Sequence, residues 1–346
     1  MDHLKRFTDD LIEHTLKLDQ ADLFKKTFFL KDLVIEAFFL DENYADICEA
    51  HLALIEEPQK ACPKITLYLL DAHTLGWPKP PRWFKDTFSR FEASESFKAL
   101  NLFGAYLDQP RAWQIYDPKR RFGIQLIKDS KSMIPWESGG PLRHFLHWAY
   151  QAQDKILCHA GTLGVLNHGL LLIGPGGSGK SGTTLAGISQ GLSTVGDDYC
   201  LLSYSDKVVA HALYKIIKQD EKGIARLTSL IDEAALPPLN WQHKYEIHAS
   251  LFENSPFIES LEIHAIIILK IGHIKKCEIR PTTAIEAMKA WAFSSSFQLP
   301  DHEKESVSLI ASLCKQLPCV ELILSEDSED IALNLKEIIK TYHVTD

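Results

Sequence analysis

The first chemistry legible in this chain is a glycine-rich run, Gly174-Pro175-Gly176-Gly177-Ser178-Gly179-Lys180-Ser181. It satisfies Gly-x4-Gly-Lys-Ser in full, the pattern whose glycines turn successive backbone N–H groups inward around a phosphate. Lys180 is placed to reach the β- and γ-phosphates, and the Ser181 hydroxyl to ligate Mg²⁺. The nucleotide-binding set is therefore Gly174, Gly176, Gly177, Ser178, Gly179, Lys180, Ser181 and Gly182. Gly182 joins it because a position without a side chain in the first helical turn admits close packing of helix or nucleotide. Sixteen residues after Ser181, Gly196-Asp197-Asp198-Tyr199 offers two adjacent carboxylates. In a strand they point to opposite faces unless the chain bends. One is suited to hold Mg²⁺ directly or through water, the other to accept the proton of an attacking hydroxyl. A solvated turn has the same composition, and the complete phosphate loop upstream decides against it. His159, alone before a strand, reads as structural on its own terms.

A rival reading of the loop is the dinucleotide fingerprint, because Gly174, Gly176 and Gly179 also satisfy G-x-G-x-x-G and Asp197 stands at ribose distance downstream. An oxidoreductase would have no use for the Lys-Ser pair, and a ribose needs one carboxylate rather than two. An incidental glycine-rich turn is the blandest alternative. It does not explain the apolar strand Gly169 to Ile173 before the loop or the helical stretch after it.

The elements that must position these groups follow from periodicity. His168 to Ile173 reads as a strand and Ser181 to Gln190 as a helix, with a second strand pair across Thr194 to Tyr204. Ile263 to Ile271 is a buried strand, 283–292 and 305–316 are helices, 319–324 a strand and 329–342 the closing helix, an α/β pattern. The earlier part is mixed: a helix over 1–20, a strand-like stretch over 27–40, a helix over 44–56 and a strand over 65–70. Three prolines make 76–81 irregular, and Trp113 to Asp117 with Gly123 to Ile127 reads as a hairpin. Ser138-Gly139-Gly140-Pro141 marks the boundary region, giving an N-terminal α+β domain over 1–134 and a catalytic domain over 135–346.

With 346 residues, 45% hydrophobic and 24% charged, the chain can bury a full core. A net charge of −9 argues against a nucleic-acid partner, since that role needs clustered Lys and Arg. Seven scattered cysteines without a CxxC pair suggest neither zinc nor a disulfide framework. No apolar run approaches a membrane span and the N-terminus has no signal core, so the expectation is a soluble cytoplasmic protein with no membrane partner.

Together, the spacing of His159, the loop and the acidic pair resembles the HPr kinase/phosphorylase family, whose P-loop core is related to phosphoenolpyruvate carboxykinase. That family has a histidine fifteen residues before the first loop glycine, then the loop and an Asp-Asp pair, as His159, Gly174 and Asp197-Asp198 do here. Further matching stretches are Pro135-Trp136-Glu137 with Pro141-Leu142-Arg143, His211 to Tyr214 with Lys218, and Ser294 to Pro300. The resemblance implies an α/β P-loop kinase core of that type with a smaller α+β N-terminal domain. It implies ATP- and Mg²⁺-dependent phosphorylation of a serine-type hydroxyl in a peptide or protein. Asp197 would be the base, Asp198 with Ser181 the metal ligands, and His159 and Lys180 catalytic; ring-forming relatives make a homo-oligomer the expectation. Gly182 stands where bifunctional members carry Glu, so reverse phosphorolysis is not expected, nor is recognition of HPr itself. Lys215, Lys218 and Arg226 are candidates to neutralise the transferring group, whereas Arg143 reads as an ion-pair residue. A kinase for a small hydroxylated metabolite and a non-catalytic ATP-binding regulator are the alternatives.

Overall fold

The computed structural model describes residues 2–77, 90–107, 111–130, 135–225, 230–240, 242–295, 299–300 and 303–342. Pro78, Pro80, Pro81, Arg226 and the 296–298 part of the Ser294–Pro300 stretch lie outside these residues. The chain divides into two compact units, 1–153 and 154–346.

The first unit runs α1 (Asp2–Leu16), β1 (Phe24–Leu30), β2 (Leu33–Phe39), α2 (Glu42–His51), β3 (Lys64–Asp71), α3 (Arg90–Lys98), β4 (Phe103–Leu107), β5 (Ala112–Asp117), β6 (Phe122–Ile127), α4 (Pro135–Ser138) and α5 (Arg143–Gln151). Its strands form one mixed sheet in the order β1-β2-β3-β6-β5-β4. The strand-like stretch at 27–40 is a hairpin, with Leu30 opposite Leu33 and Asp32 in the left-handed region (φ 55°) at the turn. The hairpin at 113–127 forms as expected, with Asp117 opposite Phe122.

The boundary falls at 153/154 rather than 134/135, and the reason is packing. Trp148 of α5 stacks against Tyr116 with ring centroids 6.2 Å apart, and His144 hydrogen-bonds the buried Gln114 of β5. A side chain at Gly123 would meet Phe145 at 2.8 Å. Arg143 pairs with Glu137 at 3.1 Å, the structural ion pair expected of it. Gly139 and Gly140 mark a turn inside the first unit, not its end.

The second unit runs β7 (Lys155–His159), β8 (Gly161–Val165), β9 (His168–Ile173), α6 (Lys180–Ser189), β10 (Tyr199–Tyr204), β11 (Val208–Ala212), β12 (Ile216–Gln219), α7 (Glu221–Ile224), β13 (Tyr245–His248), β14 (Ser260–Ile274), β15 (Glu278–Pro281), α8 (Ala284–Ser295), α9 (Glu303–Gln316), β16 (Cys319–Ser325) and α10 (Ser328–Tyr342). It is mixed α/β. The long strand β14 pairs in parallel with β9 on one side and β16 on the other, and antiparallel with β11 towards its start. Strand β10 pairs antiparallel with β11 and β7, and β8 with β9. Alternate residues of β9, Leu170 and Leu172, are buried in one core with Leu185 and Ile188 of α6 and Leu335 and Ile339 of α10. That core fixes α6 against the three parallel strands, so the loop between β9 and α6 opens at their carboxyl ends, where open parallel sheets bind ligands.

Candidate active site

The glycine loop is built on backbone conformations that need glycine. Gly174 (φ 151°), Gly177 (φ 81°) and Gly179 (φ 98°) all have positive φ. At Gly179 a Cβ would also sit 2.6 Å from the end of the Leu324 side chain of β16, so a larger residue would add crowding to the strain of its positive φ. A Cβ on Gly176 or Gly177 would meet nothing within 4 Å. The space beside them is open, as approach of a phosphate to the backbone requires. Helix α6 begins at Lys180 and directs its positive dipole end at the same space. Lys180 is buried, and its Nζ donates to the carbonyls of Gly174 (2.7 Å) and Pro175 (3.4 Å). Burial lowers its pKa, while Asp198 and Asp197 pull it upward.

Both acidic residues reach this site, and they differ sharply. Strand β10 starts only at Tyr199, so the pair lies in a bent segment rather than in the strand pair expected across 194–204. Ser193 and Thr194 make only single bridges, to Gly164 and Phe257. The bend brings Gly196 so near the Tyr199 carbonyl that a Cβ there would lie 2.7 Å from it, which leaves room for glycine alone. Asp197 is 3% exposed, and its carboxyl faces the hydroxyls of Ser181 and Thr184 on α6, yet its Oδ1 has no hydrogen-bond partner. Burial, with the like charge of Asp198, pushes its pKa up to about 6; the two hydroxyls and Lys218 oppose this. Asp198 has both oxygens engaged: Oδ1 with His159 Nε2 at 2.8 Å and Oδ2 with Lys218 Nζ at 3.0 Å. Burial works against its ionised form, but Lys218 and His159 outweigh that and hold it well below its ordinary pKa.

His159 ends β7 opposite Tyr199, and Lys218 lies on β12. The structure therefore brings together His159, Lys180, Ser181, Asp197, Asp198 and the glycine set around one loop, with Lys218 added from the cationic candidates. Lys215 contributes its carbonyl to the backbone of Ala249 at 3.0 Å. The sequence reading missed Thr184. Its Oγ1 donates to the Lys180 carbonyl at 3.1 Å, and its place one helical turn after Lys180 was the available signal.

Among the described residues no group of three or more His, Cys, Asp or Glu side chains gathers into a metal site. A cation at this loop would have to rest on few protein ligands, all hard oxygens. All seven cysteines are free thiols, and no helix among the described residues is long and apolar enough to cross a membrane. In comparisons with known proteins, no family model matches the chain and no curated protein does.

Proposed function

We propose that this protein is an ATP-dependent phosphotransferase resembling HPr serine kinase, acting on a serine-type hydroxyl of a peptide or protein. The observation that carries the reading is Asp197 Oδ1, a buried carboxylate oxygen without a partner at the base of a complete phosphate loop. A buried acceptor left unsatisfied costs about 1–3 kcal/mol. Such a cost is expected where the missing partner is a substrate proton or a ligand.

The residues fit Mg²⁺. Ser181 supplies a hydroxyl, and Asp198, held ionised, keeps unused lone pairs on two oxygens that each accept one cationic donor. Hard oxygen donors and few protein ligands suit this ion beside a triphosphate. When bound, Mg²⁺ would neutralise charge on the β- and γ-phosphates. The rest is the chain's own work. The loop amides and Lys180 Nζ, exchanging its carbonyl contacts for phosphate oxygens, orient the triphosphate. Asp197 Oδ1 takes the hydroxyl proton as the acceptor oxygen bonds to the γ-phosphorus and the bond to the β–γ bridging oxygen breaks, releasing ADP. Lys218 and His159 fix Asp198 and add positive charge beside the transfer path.

The test is transfer of labelled γ-phosphate from ATP to peptide, protein and small-molecule acceptors, with Lys180→Ala as control. Label in a polypeptide that is lost in the variant supports the reading. Label only in a small molecule makes the protein a metabolite kinase. ATP binding that is unchanged in Lys180→Ala, with no label transferred, overturns it.

A further inference from the structure

The segment that presents the acidic pair belongs to no regular strand, so something else must hold it. Two threonines outside the recognised motif do so: Thr162 on β8 and Thr194, both fully buried. Thr162 Oγ1 accepts from Val195 N at 3.0 Å, and Thr194 Oγ1 accepts from Gly196 N at 3.0 Å. The two hydroxyl oxygens are 3.0 Å apart. The Gly196 carbonyl lies 3.0 Å from Thr162 N, 3.2 Å from Thr162 Oγ1 and 3.1 Å from Thr194 Oγ1. Each hydroxyl has one proton to give and two lone pairs. One hydroxyl can therefore donate to the other, which donates to Gly196 O, leaving every group of the cluster satisfied. The backbone on either side of Thr194 is pinned as well, by Thr194 N to Pro256 O and Ile258 N to Thr194 O, both 2.9 Å.

The placement of this clasp gives it meaning. Thr162 stands opposite Leu171 of β9, the strand that runs directly into the glycine loop. The clasp therefore ties the residues immediately before Asp197 to the strand carrying the phosphate cradle. At the neighbouring Gly161 a Cβ would come within 3.0 Å of Thr184 Oγ1 and 3.4 Å of the Asp197 carbonyl. The same short stretch of β8 thus lies against both the helix side and the acid side of the site.

We propose that Thr162 and Thr194 are positioning residues: their paired hydroxyls set the distance between Asp197 and the phosphate loop. This rests on the phosphotransfer reading above for its kinetic consequence, though not for its geometry. Threonine suits the task because a β-branched side chain is stiff at χ1, and replacing either hydroxyl by a methyl strands a buried N–H.

The experiment compares Thr162→Val, Thr194→Val, Thr162→Ser and Thr194→Ser in the full chain. It measures kcat and KM for ATP, together with hydrogen exchange at the Val195 and Gly196 amides. Each valine variant is expected to exchange faster at those amides and to lose kcat by about tenfold to a hundredfold, the scale of a misplaced catalytic group. KM for ATP should stay within about twofold, because the loop itself is untouched, and each serine variant should regain most of the rate. Faster exchange without loss of kcat overturns the proposal, as does a serine variant as slow as its valine counterpart. Should a valine variant fail to fold, the serine variants decide, since slow serine variants contradict a role for the hydroxyl. If the wild-type protein turns over no ATP, the phosphotransfer reading fails by itself. The clasp is then judged on exchange alone, and unchanged exchange in both valine variants overturns it.

Discussion

Each unit of this protein buries a carboxylate beside a strand end, and the two are treated in opposite ways. Asp71, 2% exposed, closes β3 in the first unit. Its Oδ1 accepts from Thr74 N at 2.9 Å and its Oδ2 from the Ser130 amide. Burial pushes its pKa up, but these donors more than offset that, and the net shift is downward. Asp197, 3% exposed, precedes β10 in the second unit, and its Oδ1 has no donor. Burial prevails there and the pKa rises to about 6. Similar exposure therefore hides two differences. Asp197 is the more deeply desolvated and lies beside the like charge of Asp198, and it lacks the backbone donors that let Asp71 hold a turn. On the phosphotransfer proposal, that is what readies Asp197 for a proton.

The sharpest way to break this comparison is Asp→Asn at each position. A side-chain amide cannot take up the hydroxyl proton, so Asp197→Asn should lower γ-phosphate transfer by about 10²–10⁴-fold, the usual contribution of a general base. Asp71→Asn should leave the kcat of the folded protein within about twofold, because that carboxylate has a structural partner set. Equal rates for wild type and Asp197→Asn would remove the base assignment. Stability should move the other way. Asp71→Ala removes the acceptor of two partly buried amides and should cost about 1–3 kcal/mol in urea unfolding. Asp197→Asn removes a buried charge and should be neutral or stabilising, by on the order of 3 kcal/mol at most for a shift of this size.

Protonation sharpens the contrast further, because the signs differ. Asp197 has a raised folded pKa. Its contribution to stability is fully present below the unfolded value of about 4 and is lost as pH rises through about 6. Asp71 has a lowered folded pKa, so its contribution is present above about 4 and is lost as pH falls through its folded value. In metal-free protein, Asp197→Asn should flatten the stability profile between about pH 4 and 6, and Asp71→Asn the profile below about pH 4. A single variant that flattened both limbs would show that the two carboxylates are not independent.

What could be read in the sequence divides along the same physical line. The loop was legible because its chemistry is contiguous: its conformations need glycine at fixed places, and Lys180 and Ser181 follow directly. The longer helices and the strands flanking the loop were legible from periodicity, whereas short strands such as β7, β8 and β12, which carry His159, Thr162 and Lys218, were not. The bend at Gly196 was not, because a strand and a sharp turn share the composition Thr-Val-Gly-Asp-Asp. The crowding against the Tyr199 carbonyl that reserves this position for glycine exists only after folding. Thr162 and Thr194 were invisible for a related reason: 32 positions separate hydroxyls that end 3.0 Å apart. The turn at 138–141 was seen correctly but read as a domain boundary, because turn chemistry says where a chain bends and not which core the next helix joins.

The smallest loss of rate expected at the site itself concerns Asp198, the neighbour whose donors are side chains. Asp71 is satisfied by backbone N–H groups, which no side-chain replacement other than proline deletes. Asp198 is held by Lys218 and His159, and both can be changed. Lys218→Met removes a cation 3.0 Å from Oδ2 and leaves His159 in place. The transfer rate should fall about tenfold, below the loss from Asp197→Asn, because positioning weakens while the base survives. His159→Gln keeps a side-chain donor of similar reach and should fall less, by about threefold. Steady-state kcat for the two variants checks this order. Were Lys218→Met to match wild type while His159→Gln lost most activity, the histidine would be the group acting on the substrate, and the pairing around Asp198 would be secondary to it.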